Sequence, residues 1–483
     1  MRLLIKNGNI LSTEGEYKSD IYVEGEKIVA IGKDLDYEAD EIVDATGKYV
    51  FPGGVDEHVH YGSFGTLDFN TSNAPVVGGT TTIVDFPNQI EGKSIKDSVN
   101  AANEKAKDVA MVDYAFHGMV MYPTEDLFDE ILTLPDAGIS TIKFFMAYKG
   151  TPYMVNDDWI FRALQVAKEA GVTVFLHAEN GELVSLLQKQ LVSEGKTDPI
   201  YHAASRPPIV EAEATRRAIY MAELADSPLF FVHVSTKESM EAIRDAYESG
   251  LSIYGETCTH YLTLTEESLA KPNFEGAKYV CSPALRKEEH VDALWQAVQK
   301  GWLKAVGSDH AANVGGFEVD KKKGIDDFTK IPNGCPSAQD RLALLWTYGV
   351  ETKKITKEKF VELFATNPAK IVGLYPEKGQ IAIGSDADIV IYDPEYRGKI
   401  TVEHSYHQSD YNTFEGMDMI GRPEKVFLRG QLTAENGKFV GRKGQGKYIK
   451  AKPYGLCYDE FKEKEAVDEY AANNLSLQGS VKL

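Results

Sequence analysis

Between residues 55 and 310 the chain alternates short β-rich runs with amphipathic helical stretches, and the number of those runs restricts its fold more than any other feature. The runs are VDEHVHY (55–61), TTTIVDF (80–86), DYAFHG (113–118), TIKFFMA (141–147), VTVFLHAE (172–179), LFFVHVS (229–235), IYGETC (253–258) and KAVGSDH (304–310). Helices fall between them: 156–171 starts at Asn156-Asp157 and stops at Gly171, and 235–250 is closed by Gly250 in the same way. Eight strands alternating with helices over about 250 residues predict an α/β chain built on a (β/α)8 barrel of the TIM type. A doubly wound sheet is the alternative, but no GxGxxG follows the first run.

The two ends read differently. Residues 1–50 and roughly 374–440 alternate apolar and polar positions around Asn-Gly, Glu-Gly and Arg-Gly turns, which are hairpin signals. The expected organisation is a smaller β-sandwich-like domain built from 1–53 and 374–440, a catalytic barrel at 54–373, and a C-terminal arm at 441–483 lying on a neighbouring subunit. A chain of 483 residues is long enough for that division. The formal net charge of −21 disfavours nucleic acid or an anionic membrane as partner and favours a small neutral substrate. The opening MRLLIKNGNIL is interrupted by Lys6, Asn7 and Asn9 and fails as a secretory signal, and no window approaches the ~18 uncharged apolar residues of a membrane span. Cys258, Cys281, Cys335 and Cys457 lie far apart without CxxC spacing, so the expectation is a reducing, cytoplasmic setting with neither a disulfide framework nor a cysteine zinc site.

Barrel active sites occupy the C-terminal ends of the strands, and chemistry-bearing residues concentrate there. Strand 1 ends in His58-Val59-His60, strand 4 carries Lys143, strands 5 and 6 end in His177 and His233, and strand 8 ends in Asp309-His310. His58 and His60 are two apart on an extended strand, so both imidazoles face one side. A satisfied core pair is the plain alternative for an isolated HxH; two further strand-end histidines and an aspartate point instead to metal. Zinc suits this donor set first, with manganese, cobalt or iron after it. Five such ligands are too many for one catalytic metal that keeps an open position, which points to two metals and a bridging anion. Lys143, in an otherwise apolar run, supplies one if carbon dioxide adds to its neutral amine to give N6-carboxylysine; pairing with a carboxylate or reaching to solvent are the alternatives.

These residues sit in motifs that resemble the cyclic amidohydrolases, within them the dihydropyrimidinase/hydantoinase group. The resemblance runs from FPGGVDEHVH through GGTTTIVDF, IKFFMAYKG, HAEN, SRPPIVEAEAT, VHVST, ETCTHYL, SPALR, GSDH and DDFTKIPNG to GSDADIVIYDP, nearly the whole chain. It implies hydrolytic opening of a cyclic amide or imide, a 5,6-dihydropyrimidine or a 5-substituted hydantoin, to an N-carbamoyl amino acid by a bridging hydroxide. It further implies that His58, His60 and Asp309 hold one metal, His177 and His233 the other, and carboxylated Lys143 both. Asp309 would be the general base, Tyr148 the oxyanion donor, and Ser282 and Asn333 the residues whose main-chain groups hold the ring. A homotetramer is implied, with a homodimer as the alternative.

Dihydroorotase-like relatives carry an arginine right after HxH; here the sequence is HVHYGSFGTLDF, so an anionic ring is disfavoured. Loops 62–72 and 151–160, with Phe64, Leu67, Phe69, Tyr153 and Met154, are apolar enough to face an aliphatic or aromatic substituent. The wording after Tyr61 and the DHAANVGG continuation depart from the commoner pattern. An allantoinase or other imidase on the same site is the alternative activity, and a catalytically silent scaffolding relative the alternative class, although such relatives typically lose ligands that stand here. His117 reads as a packed polar residue, His310 as structural or as a support behind the metal ligands, Lys149 as solvent-facing, and His202 and His260 stay unassigned.

Overall fold

The computed structural model describes residues 1–63, 68–312 and 315–459; Phe64 and Leu67 lie outside them. The chain opens with β1 (Arg2–Ser12), β2 (Gly15–Glu24), β3 (Lys27–Gly32), β4 (Glu41–Asp44) and β5 (Tyr49–Pro52). The barrel follows: β6 (Gly54–Val59), β7 (Thr80–Asp85), β8 (Asp113–Phe116), β9 (Gly118–Met119), β10 (Thr141–Phe145), β11 (Thr173–His177), β12 (Leu229–Phe231), β13 (Ile253–Cys258) and β14 (Ala305–Gly307). The chain returns through β15 (Ile389–Lys399), β16 (Asp418–Leu428), β17 (Gln431–Glu435) and β18 (Lys438–Phe439).

Strands from residues 2–52 and 389–439 meet in one nine-stranded sheet, ordered β18-β17-β16-β15-β5-β1-β2-β3 with β4 beside β1. Its alternation explains why two cores form. Val50, Ile389 and Ile391 join Leu3 and Ile5 in a core belonging to the sheet alone, whereas their neighbours Phe51, Val390 and Tyr392 turn to the barrel's helical layer. There Phe51 packs edge-on against Phe360 and stacks on Trp346.

The parallel barrel ladder runs β14-β13-β12-β11-β10-β9 and, separately, β6-β7-β8. The expected single third strand is interrupted at His117, where pairing passes from β7 to β10: the His117 amide donates to Asp85 O, and the amide of Val120 to Lys143 O. Between strands one and eight the ladder is replaced by Arg341, whose fully buried guanidinium donates to Val55 O at 2.9 Å and Val306 O at 3.1 Å. The seam closes at its mouth end, where His60 N donates to His310 O at 2.8 Å.

Period-two alternation also settles where Lys143 points. On β10, Ile142 and Phe144 join the core between barrel and helices, whereas Phe145 joins the barrel interior; Lys143 shares the inner face with Phe145 and is 1 % exposed. The expected helices form at Asp157–Ala170, ending on Gly171 at φ 67°, and at Lys237–Glu248, capped by the Thr236 hydroxyl. The segment expected to reach a neighbouring subunit runs along its own barrel as far as it is described. Tyr114 N donates to Lys447 O, Ile449 N to Tyr114 O, and the Tyr458 hydroxyl to Val172 O; residues 460–483 lie outside the described residues.

Candidate active site

Five barrel strands bring the histidines, the lysine and the aspartate to one mouth. His58 and His60 do face the same side: their Nε2 atoms lie 3.3 and 3.2 Å from Asp309 Oδ1, and the three residues offer ligand atoms within 4.8 Å of one another. The His177 and His233 rings meet edge to face at 4.5 Å. Lys143 Nζ lies 3.1 Å from His58 Nε2 and over the Phe86 and Phe145 rings. A cavity of ≈ 330 Å³ is lined by His60, Lys143, His177, His233 and Asp309 together with Tyr148, Ser282, Asn333 and Gly334.

The regular strands stop short of several of these residues. His233, Asp309 and Tyr148 take φ of 43°, 45° and 66°, a left-handed backbone that costs a side-chain-bearing residue of order 1–3 kcal/mol and persists only where its surroundings enforce it. Three such residues around one cavity mark it as the functional part of the barrel.

Three of the four imidazoles are anchored through one ring nitrogen. His58 Nδ1 pairs with Glu256 Oε1, His60 Nδ1 with Ser63 Oγ at 2.9 Å, and His177 Nε2 with Glu179 Oε2 at 2.7 Å, leaving Nδ1 as the His177 nitrogen not engaged there. Glu256 also accepts from the His233 amide, and His233 Nδ1 is buried with no partner. Burial holds all four rings below the ordinary histidine pKa and hence neutral, the form a metal requires. Burial would raise the Glu179 carboxyl, but Arg206, 2.7 Å away, and His177 overcome this and hold it low. Lys143 is pushed down to about 8 by burial, against the fields of Asp309 and Glu256. Anchored neutral imidazoles, a carboxylate and a buried amine without a carboxylate hydrogen bond form a donor set that fits divalent cations.

The sequence reading missed the anchors. Glu179 and Glu256 are acids buried on or just after barrel strands, and that placement was the available signal. Other expectations fall where they were put: His117 stacks on Phe86 at 3.9 Å and contacts Thr141 Oγ1 and Glu57 O, the His310 ring accepts from Ser337 N, and Lys149 pairs with Glu182 on the surface. His202 Nε2 donates to Cys281 O, whereas neither His260 ring nitrogen has a partner. All four cysteines are free and buried, and among the described residues no helix is long and apolar enough to cross a membrane.

A parallel barrel whose strand ends converge on a buried His-Lys-Asp cluster defines a hydrolase of the barrel type. Residues 49–433 match the family model described as Amidohydrolase family, and the chain belongs to that family. It is 44% identical to a D-hydantoinase of Geobacillus stearothermophilus over 94% of this chain and 98% of the relative. Among solved structures it is similar to a dihydropyrimidinase from Brevibacillus agri, with TM-score 0.92 and 44% identity over 94% of this chain and all of that one. An L-hydantoinase (dihydropyrimidinase) from Arthrobacter aurescens matches at TM-score 0.85 and 31% identity, over 93% and 99% of the two chains.

Proposed function

We propose that the protein hydrolyses the ring amide of a neutral cyclic substrate, a 5-substituted hydantoin or 5,6-dihydropyrimidine, to the N-carbamoyl amino acid. The observation that carries this reading is the single cavity in which the His-Lys-Asp cluster faces the same space as Tyr148, Ser282 and Asn333. Relatives covering nearly the whole chain carry the names of such enzymes. No arginine lines the cavity among the described residues, which argues against an anionic ring.

In this reading His58, His60 and Asp309 would hold one divalent cation, zinc by preference, and His177 and His233 a second. Lys143 joins the two sets: its neutral Nζ attacks carbon dioxide and releases one proton, which converts an awkward buried amine into a carbamate with two oxygen donors. When bound, the cations polarise the substrate carbonyl and lower the pKa of water toward neutrality. The Asp309 carboxylate takes the proton of the attacking water and delivers it to the ring nitrogen as the C–N bond breaks. The Tyr148 hydroxyl, pushed up to about 12 chiefly by burial, stays protonated and donates to the carbonyl oxygen as it gains charge. The main-chain groups of Ser282 and Asn333 hold the ring, and Phe145, Thr151 and Tyr153 wall the side that faces its substituent.

We further propose a homotetrameric assembly in the cytoplasm, with 54–373 as the catalytic unit; exposed Ile209, Tyr220 and Leu224 on helix Pro208–Ala225 support burial between copies. Metal-loaded enzyme assayed side by side on phenylhydantoin, dihydrouracil, allantoin and dihydroorotate tests the activity. Turnover of the first two is expected, and turnover of dihydroorotate alone overturns the reading.

A further inference from the structure

Lys321 is fully buried, and its ammonium donates to three main-chain oxygens: Val280 O at 3.0 Å, Pro332 O at 2.7 Å and Gly334 O at 2.8 Å. Two of these flank Asn333, and the third lies two residues before Ser282. One atom thereby ties together two of the segments that line the cavity from outside the His-Lys-Asp cluster, those carrying Ser282 and Asn333.

The surroundings leave those segments little slack. Gly334 N donates to the same Val280 O at 3.0 Å. Gly334 itself sits at φ +119°, where a Cβ would come within 2.5 Å of Ala311 Cβ, and Ala311 N donates to Cys335 O at 3.1 Å. Ala311 is two residues from Asp309, so the ring-holding segment is registered against the end of strand eight.

A buried ammonium is a costly way to fill space. Three neutral carbonyls satisfy its protons without cancelling its charge, and burial lowers its pKa to about 8. A methionine of similar length would occupy the same volume without desolvating a charge. What the lysine adds is a directed hold on three carbonyls at once, stronger than neutral hydrogen bonds.

We propose that Lys321 is a positioning residue for ring recognition: it sets the spacing at which the main-chain groups of Ser282 and Asn333 receive the cyclic amide. This rests on the cyclic-amide reading above. Lys321 touches neither the cluster nor the substrate, so its contribution falls on binding the ring.

The test compares metal-loaded wild type, Lys321→Met and Lys321→Arg on phenylhydantoin, with metal content and thermal midpoint measured on the same samples. The expected result for Lys321→Met is a KM raised about tenfold or more, a kcat within about threefold of wild type and unchanged metal content. Lys321→Arg, which keeps charge and donors, should recover part of the KM. Wild-type KM in Lys321→Met, equal losses in kcat and metal, or failure of both variants to fold would each overturn the proposal, the last two in favour of a purely structural role. Wild type inactive on every cyclic amide would instead remove the reading on which the proposal rests.

Discussion

Lys143 Nζ stands 3.1 Å from His58 Nε2, and the opposite nitrogen of that ring is held by Glu256. With Glu256 engaging Nδ1, Nε2 presents its lone pair to a site shared with Lys143 and Asp309. A charged ammonium there would compete with a cation for that lone pair; a carbamate would join it.

Lys143→Ala should therefore lose most bound metal from one or both positions and drop activity by more than about a hundredfold, with part returning on addition of short carboxylic acids that replace the carbamate. Elemental analysis together with assays on acetate and propionate checks this. Full activity in the variant would make Lys143 structural.

Asp309→Asn should fold normally and lose turnover by about 10²–10⁴-fold, because an amide cannot carry the proton to the leaving nitrogen. Unchanged circular dichroism beside the kinetic loss is the expected pair of results.

Tyr148→Phe should lower kcat by about 10²-fold with a smaller change in KM, the pattern of a donor used mainly in the transition state. Because the phenol is raised to about 12, it remains a donor throughout the neutral range. Wild-type kcat should show no alkaline loss from this group below about pH 11.

A buried ion cluster ties the sheet to the barrel: Lys378 Nζ lies 2.6 Å from Asp113, 2.9 Å from Asp386 and 2.8 Å from Asp388. Burial would lower the Lys378 pKa, but the three carboxylates outweigh it and raise it. A raised ammonium gives a contribution complete below the ordinary value of 10.5 and lost only as pH climbs through the higher folded value. Asp386 is opposed by burial yet held low by Lys378 and Lys27, so its share is complete above 3.8 and lost as pH falls through its lower folded value. Asp388, raised by burial, offsets part of that acid-side share. Lys378→Ala should cost about 3–5 kcal/mol at pH 7, read by denaturant unfolding, and should flatten the alkaline limb of the stability profile.

Strand alternation and turn residues made the barrel runs and terminal hairpins legible, because period and punctuation are local properties. Lys143 was legible as an anomaly for the same reason: its neighbours Ile142 and Phe144 declared the outer face. Arg341 at the barrel seam was not, since nothing near it in sequence names Val55 or Val306 as partners. Lys321 was hidden likewise, in a run of three lysines that reads as a solvated surface. The anchors Glu179 and Glu256 required knowing which acid stands behind which histidine. The interruption at His117 depends on how strand three divides its hydrogen bonds between two neighbours.

The placement of β5 between β1 and β15 has a further consequence for biosynthesis. The amino-terminal strands leave the ribosome first, yet β5 finds its second neighbour only after the entire barrel has been translated. Until then one side of β5 presents unpaired amides and carbonyls, the kind of edge that invites intermolecular association. Completion of the sheet thus reports that the whole barrel sequence has been made, and a prematurely terminated chain would display an open edge for quality control to recognise.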